Sequence, residues 1–458
     1  MADHNFDVVI LGGGSGGYAA ALRSAQLGKS VALIEKDKIG GTCLHRGCIP
    51  TKALLHSAEI ADNVKEAAHF GVNATFGSID MPAVNSYRDT IVDRLFKGLT
   101  GLVSSKNITV ASGEGRMVGP KTIQVNGDNY TGVNLVLASG SYSRTLPGLE
   151  IGGRVMTSEH ALQLNFVPNK VIVLGGGVIG VEFASIWRSF GSEVTIVEGL
   201  PNLVPNEDIA LSKGLERAFR KRGIDFKLGV RFSGVVQHEN GVVVSLESGE
   251  TLEADIMLVA VGRGPNTAGM GYDEQGVTMD RGFVLTNDRL ETNIAGVYAA
   301  GDIVPGLQLA HRGFQQGIFI AEEIAGLKPA FIDEDGIPKV TYCEPEVASV
   351  GLSEAKAAEK FGADNISTYE YNLGGNGKSQ ILGTAGFIKL VRRNDGPIIG
   401  VHMIGSRVGE QIGEAQLIVN WEAYPEDVAS LVHAHPTMNE AIGEAHLAIA
   451  GKPLHAHA

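Results

Sequence analysis

The most regular signal along the chain is an order of apolar run, glycine cluster and helix-compatible stretch that occurs twice. Residues 6–20 read FDVVILGGGSGGYAA and residues 170–184 read KVIVLGGGVIGVEFA. Short β-branched runs bounded by glycine predict strands buried on both faces, and the small and apolar residues after each loop predict a helix. Each unit continues into a second predicted strand, SVALIE or EVTIVE, that ends in an acid. Between the units, residues 108–125 and 134–137 predict short strands of an inserted sheet. Residues 242–246 and 256–261 predict strands that close the second unit near Val261-Gly262-Arg263. From Ile337 onward, strands at 387–391 and 398–403 precede helical stretches at 410–421 and 439–449, which reads as a separate α+β region.

The glycines give the repeat its chemistry. Gly12, Gly14 and Gly17 form G-x-G-x-x-G, as do Gly175, Gly177 and Gly180; the closing acids, Glu35 and Glu198, each lie 23 positions after the first glycine. The first glycine permits a tight turn, the second admits a pyrophosphate against backbone, and the third allows close helix–strand packing. The helix N-terminus offers N–H donors to the phosphates, and the acid accepts from ribose hydroxyls while repelling a 2′-phosphate. A strand, loop, helix, strand and acid repeated at identical spacing predicts two dinucleotide sites. The fold class is therefore α/β, with two Rossmann-like dinucleotide-binding domains and an α+β C-terminal domain.

Composition narrows the partners. Of 458 residues, 44% are apolar and 19% charged, enough for a sizeable core, and the length suggests about three domains. The net charge of −13 argues against nucleic acid as a main partner. No basic leader precedes the first strand, and the longest apolar run, at 171–181, falls short of a membrane span, so a soluble cytoplasmic protein is expected. The 61 glycines, about 13% of the chain, exceed the usual ~7%, and the cofactor loops use only part of them.

Three cysteines cannot form a secreted disulfide framework. Cys43 and Cys48 lie in GGTCLHRGCIPTK, just after the first dinucleotide unit. Cys-x4-Cys is not zinc-finger spacing, and no second pair completes four ligands. In a reducing cytoplasm such a pair is either two buried thiols or a catalytic disulfide. Cys343 reads as a small buried residue. The tail at 454–458, with His455 and His457, reads as frayed and as a weak candidate for metal.

GGTCLHRGCIPTK, the second glycine loop ending in Glu182, VGRGPNT at 261–267, TNIAGVYAAGD at 292–302, LAH at 309–311, PEVASVG at 345–351 and HAHPTMNE at 433–440 occur in this order. Across essentially its whole length the chain resembles the pyridine nucleotide–disulfide oxidoreductases of the glutathione reductase type. The resemblance implies an FAD-binding domain at 1–145, an NAD-binding domain at 146–268, a central region at 269–336 completing the FAD site, and an interface domain at 337–458. It implies FAD at the first loop, with Glu35 on the adenosine ribose, Gly115 near adenine and Asp302 on the ribityl–phosphate region. Leu309, Ala310 and His311 would lie beside the isoalloxazine. Lys52, which alone reads as a solvated charge, would lie near the flavin and pair with Glu182. NAD would occupy the second loop: Glu198 would repel a 2′-phosphate, and Gly199-Leu200-Pro201-Asn202 offers no arginine to bind one.

The implied activity is oxidation of protein-bound dihydrolipoamide to lipoamide with reduction of NAD+. Cys43 and Cys48 would form the redox-active disulfide, with Cys48 the thiolate against the flavin. His435 would be the acid–base residue and Glu440 its orienting carboxylate, with His433 structural. The active site would be shared across a homodimer, His435 facing the other subunit's cysteines. A further implied partner is the subunit-binding domain of a 2-oxoacid dehydrogenase acyltransferase, a basic domain suited to an acidic dimer edge.

Rival readings are another low-molecular-weight disulfide reductase of the glutathione or mycothione type, an NADH oxidase or diaphorase, and a non-catalytic structural flavoprotein. Three departures from the common family pattern stand out. His45-Arg46 replaces Asn-Val between the cysteines, Ser139 replaces threonine in Ala138-Ser139-Gly140, and Cys343 stands where threonine is usual. The first adds positive charge that could depress a thiolate pKa.

Overall fold

The computed structural model describes residues 2–455. His457 lies outside them. The first unit is built on β1 (Asp3–Leu11), α1 (Ser15–Gln26) and β2 (Val31–Glu35), followed by α2 (Gly41–Arg46), α3 (Cys48–Glu66) and α4 (Met81–Ser105). Four further strands follow: β3 (Thr109–Ser112), β4 (Arg116–Gly119), β5 (Thr122–Val125) and β6 (Asp128–Leu137). They do not form an inserted sheet of their own. The sheet order is β3-β2-β1-β6-β5-β4, and β6 pairs in parallel with the whole of β1, from Asp3 opposite Asn129 to Leu11 opposite Leu137. The short segments thus extend one sheet, because β1 is apolar along its inner half and must be flanked on both edges to satisfy its backbone.

The second unit repeats the first. After α5 (Ser158–Ala161), the strand Lys170–Leu174 leads into α6 (Val178–Phe190), the strand Glu193–Glu198 and α7 (Ile209–Arg222). Its central strand lies between Glu193–Glu198 and Ile256–Val259, all parallel. Gly241–Leu246 lies instead in a separate three-stranded antiparallel sheet. The chain then returns to the first sheet: Val297–Ala299 pairs with β6, and α8 (Ala310–Ile324) packs against α1. That contact is backbone to backbone. A Cβ on Gly317 would meet Gly16 O at 2.3 Å, so the α1–α8 pair is closer than any side chain allows. Of the 61 glycines, 31 have positive φ, and most of these lie outside the cofactor loops, which accounts for much of the remaining excess.

The C-terminal region carries a five-stranded antiparallel sheet covered by the helices Val408–Asn420 and Glu440–Ile449. Its core is its own, but Phe387, Ile404 and Cys343 also pack into the core that α6 and α7 close. A buried ion group fastens the same seam. Lys389 Nζ donates to Asp208 Oδ1 at 2.8 Å and to Glu354 Oε2 at 2.5 Å, and Asp208 also caps α7 by accepting the Ala210 N–H. Burial opposes the Asp208 charge, but these donors outweigh it and hold the carboxyl below its ordinary range. Lys389→Met would leave a buried carboxylate short of its cation. It is expected to destabilise the fold by about 3 kcal/mol, seen as a lowered thermal midpoint, with part recovered in Lys389→Met/Asp208→Asn.

Among the described residues, no helix is long and apolar enough to cross a membrane. The tail is not frayed at His455, whose N–H and Nδ1 both engage Glu444, each at 2.9 Å.

Candidate active site

Both glycine loops are built alike. Gly12 and Gly175 have φ of 104° and 110°, and a Cβ on either would strike the carbonyl of Ala138 or Ala260 on the neighbouring strand. A Cβ on Gly17 would fall 1.7 Å from Gly12 O, and one on Gly180 would fall 1.9 Å from Gly175 O. The third glycine therefore seats the helix on the first glycine's own carbonyl. The second glycine, Gly14 or Gly177, faces open space, with nothing within 4 Å of an added Cβ. These glycines cap α1 and α6, and neither helix has a side-chain cap or an acid in its first turn. Free N–H donors beside open space are what a pyrophosphate needs.

The two acids share a task the sequence did not reveal. Glu35 Oε2 accepts the Gly13 N–H at 2.7 Å and Oε1 accepts the Asp37 N–H at 2.8 Å. Glu198 does the same with Gly176 at 2.6 Å and Leu200 at 2.8 Å. Each carboxylate thus holds its own loop in shape and keeps lone pairs for a ribose.

A single cavity of about 2350 Å³ joins the two loops. Its lining includes Gly14 and Gly16 at one end and Gly175, Gly177, Glu198 and Gly262 at the other. Between them lie Cys43, Cys48, Lys52, Glu182, Asp302 and the Leu309–Ala310–His311 segment. The start of α8 is a third helix N-terminus on this cavity without a side-chain cap or a first-turn acid. Glu35 and Gly115 do not line it. Gly115 is buried at the end of the first sheet, where a Cβ would press on Leu11, Ile34 and Ile123.

The cysteines straddle the break between α2 and α3, with Cys48 at the first position of α3. Both are free thiols and half-buried. The neighbouring Cys43 thiol, with the Lys52 ammonium, pulls Cys48 down to about 7 against the cost of burial. The Cys48 sulfur and burial together push Cys43 far above the ordinary thiol range. Lys52 is fixed by Glu182, to whose two oxygens Nζ donates at 2.9 and 2.8 Å. Burial disfavours its charge, but Glu182 more than offsets this, and the lysine remains cationic beside the sulfurs. Glu182 Oε1 also accepts the Tyr342 N–H at 2.9 Å, and the Tyr342 ring lies 4.7 Å from Lys52 Nζ. No local pattern marks Tyr342; it arrives from the C-terminal region.

His45 and Arg46 are partnered outside the cysteine pair, and Arg46 still lines the cavity. His45 Nε2 contacts Ile39 O at 2.9 Å with its ring edge-on to Phe96, and Arg46 pairs with Asp37. Neither is among the main causes of the thiolate shift, and both tie α2 to the loop after β2. Cys343 is fully buried, and its thiol, raised by burial, donates to Pro345 O at 3.3 Å. Asp302 is held by the Ser141 hydroxyl, which also accepts from Arg263 Nε at 2.7 Å.

His435 and Glu440 stand elsewhere. His435 Nδ1 meets Glu440 Oε1 at 2.8 Å, and Glu440 Oε2 accepts the Thr437 N–H at 2.7 Å. Burial raises the Glu440 pKa, but these bonds outweigh it and leave the carboxyl below its ordinary value. The His435 side chain is 78% exposed, and neither residue lines the cavity of its own chain. His433 is instead tucked in, its Nε2 2.8 Å from Glu414 Oε1.

A family model described as pyridine nucleotide-disulphide oxidoreductase matches residues 6–317, and one described as the dimerisation domain of these enzymes matches residues 337–446. A dihydrolipoyl dehydrogenase of Bacillus subtilis (strain 168) is 41% identical, the match covering 98% of this chain and 99% of that protein. The mitochondrial dihydrolipoyl dehydrogenase 2 of Arabidopsis thaliana is 40% identical over 98% of this chain and 91% of its own. The crystal structure of LpdA from Mycobacterium tuberculosis superposes with a TM-score of 0.90 at 26% identity, covering 98% of this chain and 100% of that one.

Proposed function

The chain belongs to the pyridine nucleotide-disulphide oxidoreductases, and from that premise we propose that it oxidises protein-bound dihydrolipoamide to lipoamide with reduction of NAD+, the dihydrolipoyl dehydrogenase reaction. The observation that carries this reading is the single cavity joining both glycine loops to the cysteine pair and the Lys52–Glu182 pair. The open second glycines and free helix N-termini suit FAD at the first loop and NAD at the second. FAD, when bound, would supply the two-electron chemistry that links the dithiol to NAD+.

The chain's own residues handle sulfur and proton. In the oxidised pair, a substrate thiolate attacks Cys43 Sγ, the Cys43–Cys48 bond breaks, and Cys48 leaves as the thiolate that Lys52 and the Cys43 position favour. The second substrate thiol then displaces Cys43, closing lipoamide and leaving the enzyme dithiol. His435 of the partner subunit, oriented by Glu440, takes the proton of the attacking substrate thiol, and the proton of the second thiol passes to the displaced Cys43 sulfur. An exposed dyad that does not line its own chain's cavity, on a matched dimerisation domain, supports a homodimer with a shared site. In a cytoplasmic 2-oxoacid dehydrogenase complex, the acyltransferase's basic subunit-binding domain would dock on that acidic dimer.

An assay panel tests the reading. NADH and NADPH are each offered with lipoamide, glutathione disulfide and mycothione disulfide; NADH with lipoamide is expected to be the fastest pair. Faster turnover of either other disulfide would replace this reading with that of the corresponding reductase.

A further inference from the structure

Resting on the reading of the second loop as a nicotinamide-dinucleotide site, we propose that Arg231 is a specificity-determining residue there. It is placed to receive the adenosine 2′-phosphate that Glu198 alone would repel, so NADPH is accepted with only a modest handicap against NADH.

The linear sequence after Glu198 contains no base, but the fold supplies one from the turn after the strand Ile224–Leu228. That turn is stitched to the acid's loop through backbone: Gly229 N–H donates to Leu200 O at 2.9 Å and Val230 N–H to Glu198 O at 3.2 Å. Arg231 follows directly. Its Cγ lies 3.8 Å from where a Gly199 Cβ would be, so its stem runs across the residue next to the acid. Arg231, Glu198, Gly199 and Leu200 line the same cavity as Gly177.

Two other arginines of the lining are committed, while Lys221 on α7 also lines the cavity. Arg188 Nε donates to Arg222 O, and Arg222 is held by Ser185, Ser189, Asp62 and Glu344 O. The Arg231 guanidinium has no side-chain hydrogen bond or ion pair among the described residues, while Glu198 is pinned by two N–H donors and cannot swing aside. An unpaired guanidinium presents a planar fork to a phosphate. Glu247 shares the lining, and its N–H donates to Arg231 O at 2.9 Å. Glu198 therefore sets the preference for a free ribose, and Arg231 limits its size.

Calorimetry on the purified flavin-containing protein provides the test, with 5′-AMP and adenosine 2′,5′-bisphosphate as probes. Arg231→Ala is expected to weaken bisphosphate binding about fivefold and AMP binding by much less, the size set by an exposed charge pair. Arg231→Lys should restore part of the loss, and the difference should shrink in high salt. The NADPH-to-NADH ratio of kcat/KM should fall alongside. Equal shifts for both probes, or none, would overturn the role of Arg231 while leaving the site intact. Failure of wild-type protein to bind either probe would instead overturn the dinucleotide reading of the second loop.

Discussion

Cys48→Ser is expected to lower turnover of dihydrolipoamide by at least about a thousandfold and to remove the long-wavelength thiolate–flavin absorbance that two-electron reduction develops. Cys43→Ser should abolish turnover too, yet keep that absorbance. The asymmetry follows from position: Cys48 opens α3 and is drawn toward the thiolate by the Lys52 ammonium, whereas Cys43 is pushed up by its neighbour and by burial. The sign with pH is fixed as well. Cys48 is pulled down to about 7, so the absorbance of the reduced protein should be present above that pH and fade as pH falls through it. Because the neighbouring Cys43 side chain is the largest cause, Cys43→Ala should move the midpoint upward, whereas Cys43→Ser, which keeps a hydroxyl donor, should move it less. Absorbance that survives in Cys48→Ser and vanishes in Cys43→Ser would reverse the two roles.

The parts of this molecule legible in the sequence are those where one local pattern carries one physical demand. The glycine loops are such a case, since turn, open space and close packing each require glycine at a set spacing. The long parallel pairing of β6 with β1 was not legible, because residues 128–133 read DNYTGV, too polar to announce a strand that is central only by virtue of its neighbours. The site shows the same division. Cys43, Cys48 and Lys52 share one segment, whereas Tyr342 reaches Glu182 across 160 positions and Arg231 reaches Gly199 across a turn of tertiary origin. His45 and Arg46 read as charge between the cysteines, but on α2 they are tied back to Ile39 and Asp37 and not to either sulfur. The loop-shaping role of Glu35 and Glu198 was hidden for a different reason: a carboxylate can hold backbone and ribose at once, and the spacing reports only that it is present.

A mixture of two inactive variants is expected to regain activity. His435→Ala should lower dithiol turnover by about a hundredfold or more, and Cys43→Ser should abolish it, each as a homodimer. If each site combines one chain's cysteines with the other chain's histidine, a hybrid dimer contains one site with both lesions and one with neither. Random pairing makes half the dimers hybrid, so unfolding or co-expression followed by assembly should return about a quarter of wild-type activity. If His435 served the cysteines of its own chain, every site in the hybrid would bear one lesion and no activity would return. The geometry favours recovery: His435 Nδ1 is committed to Glu440, the ring stands in solvent, and nothing from the 433–440 segment reaches the cavity that holds Cys43 in the same chain. Glu440→Gln in place of His435→Ala should give a milder parent and the same complementation, since it loosens the orientation of the imidazole without removing it. Recovery with the alanine variant but not the glutamine variant would mean that Glu440 acts through the dimer contact and not through His435.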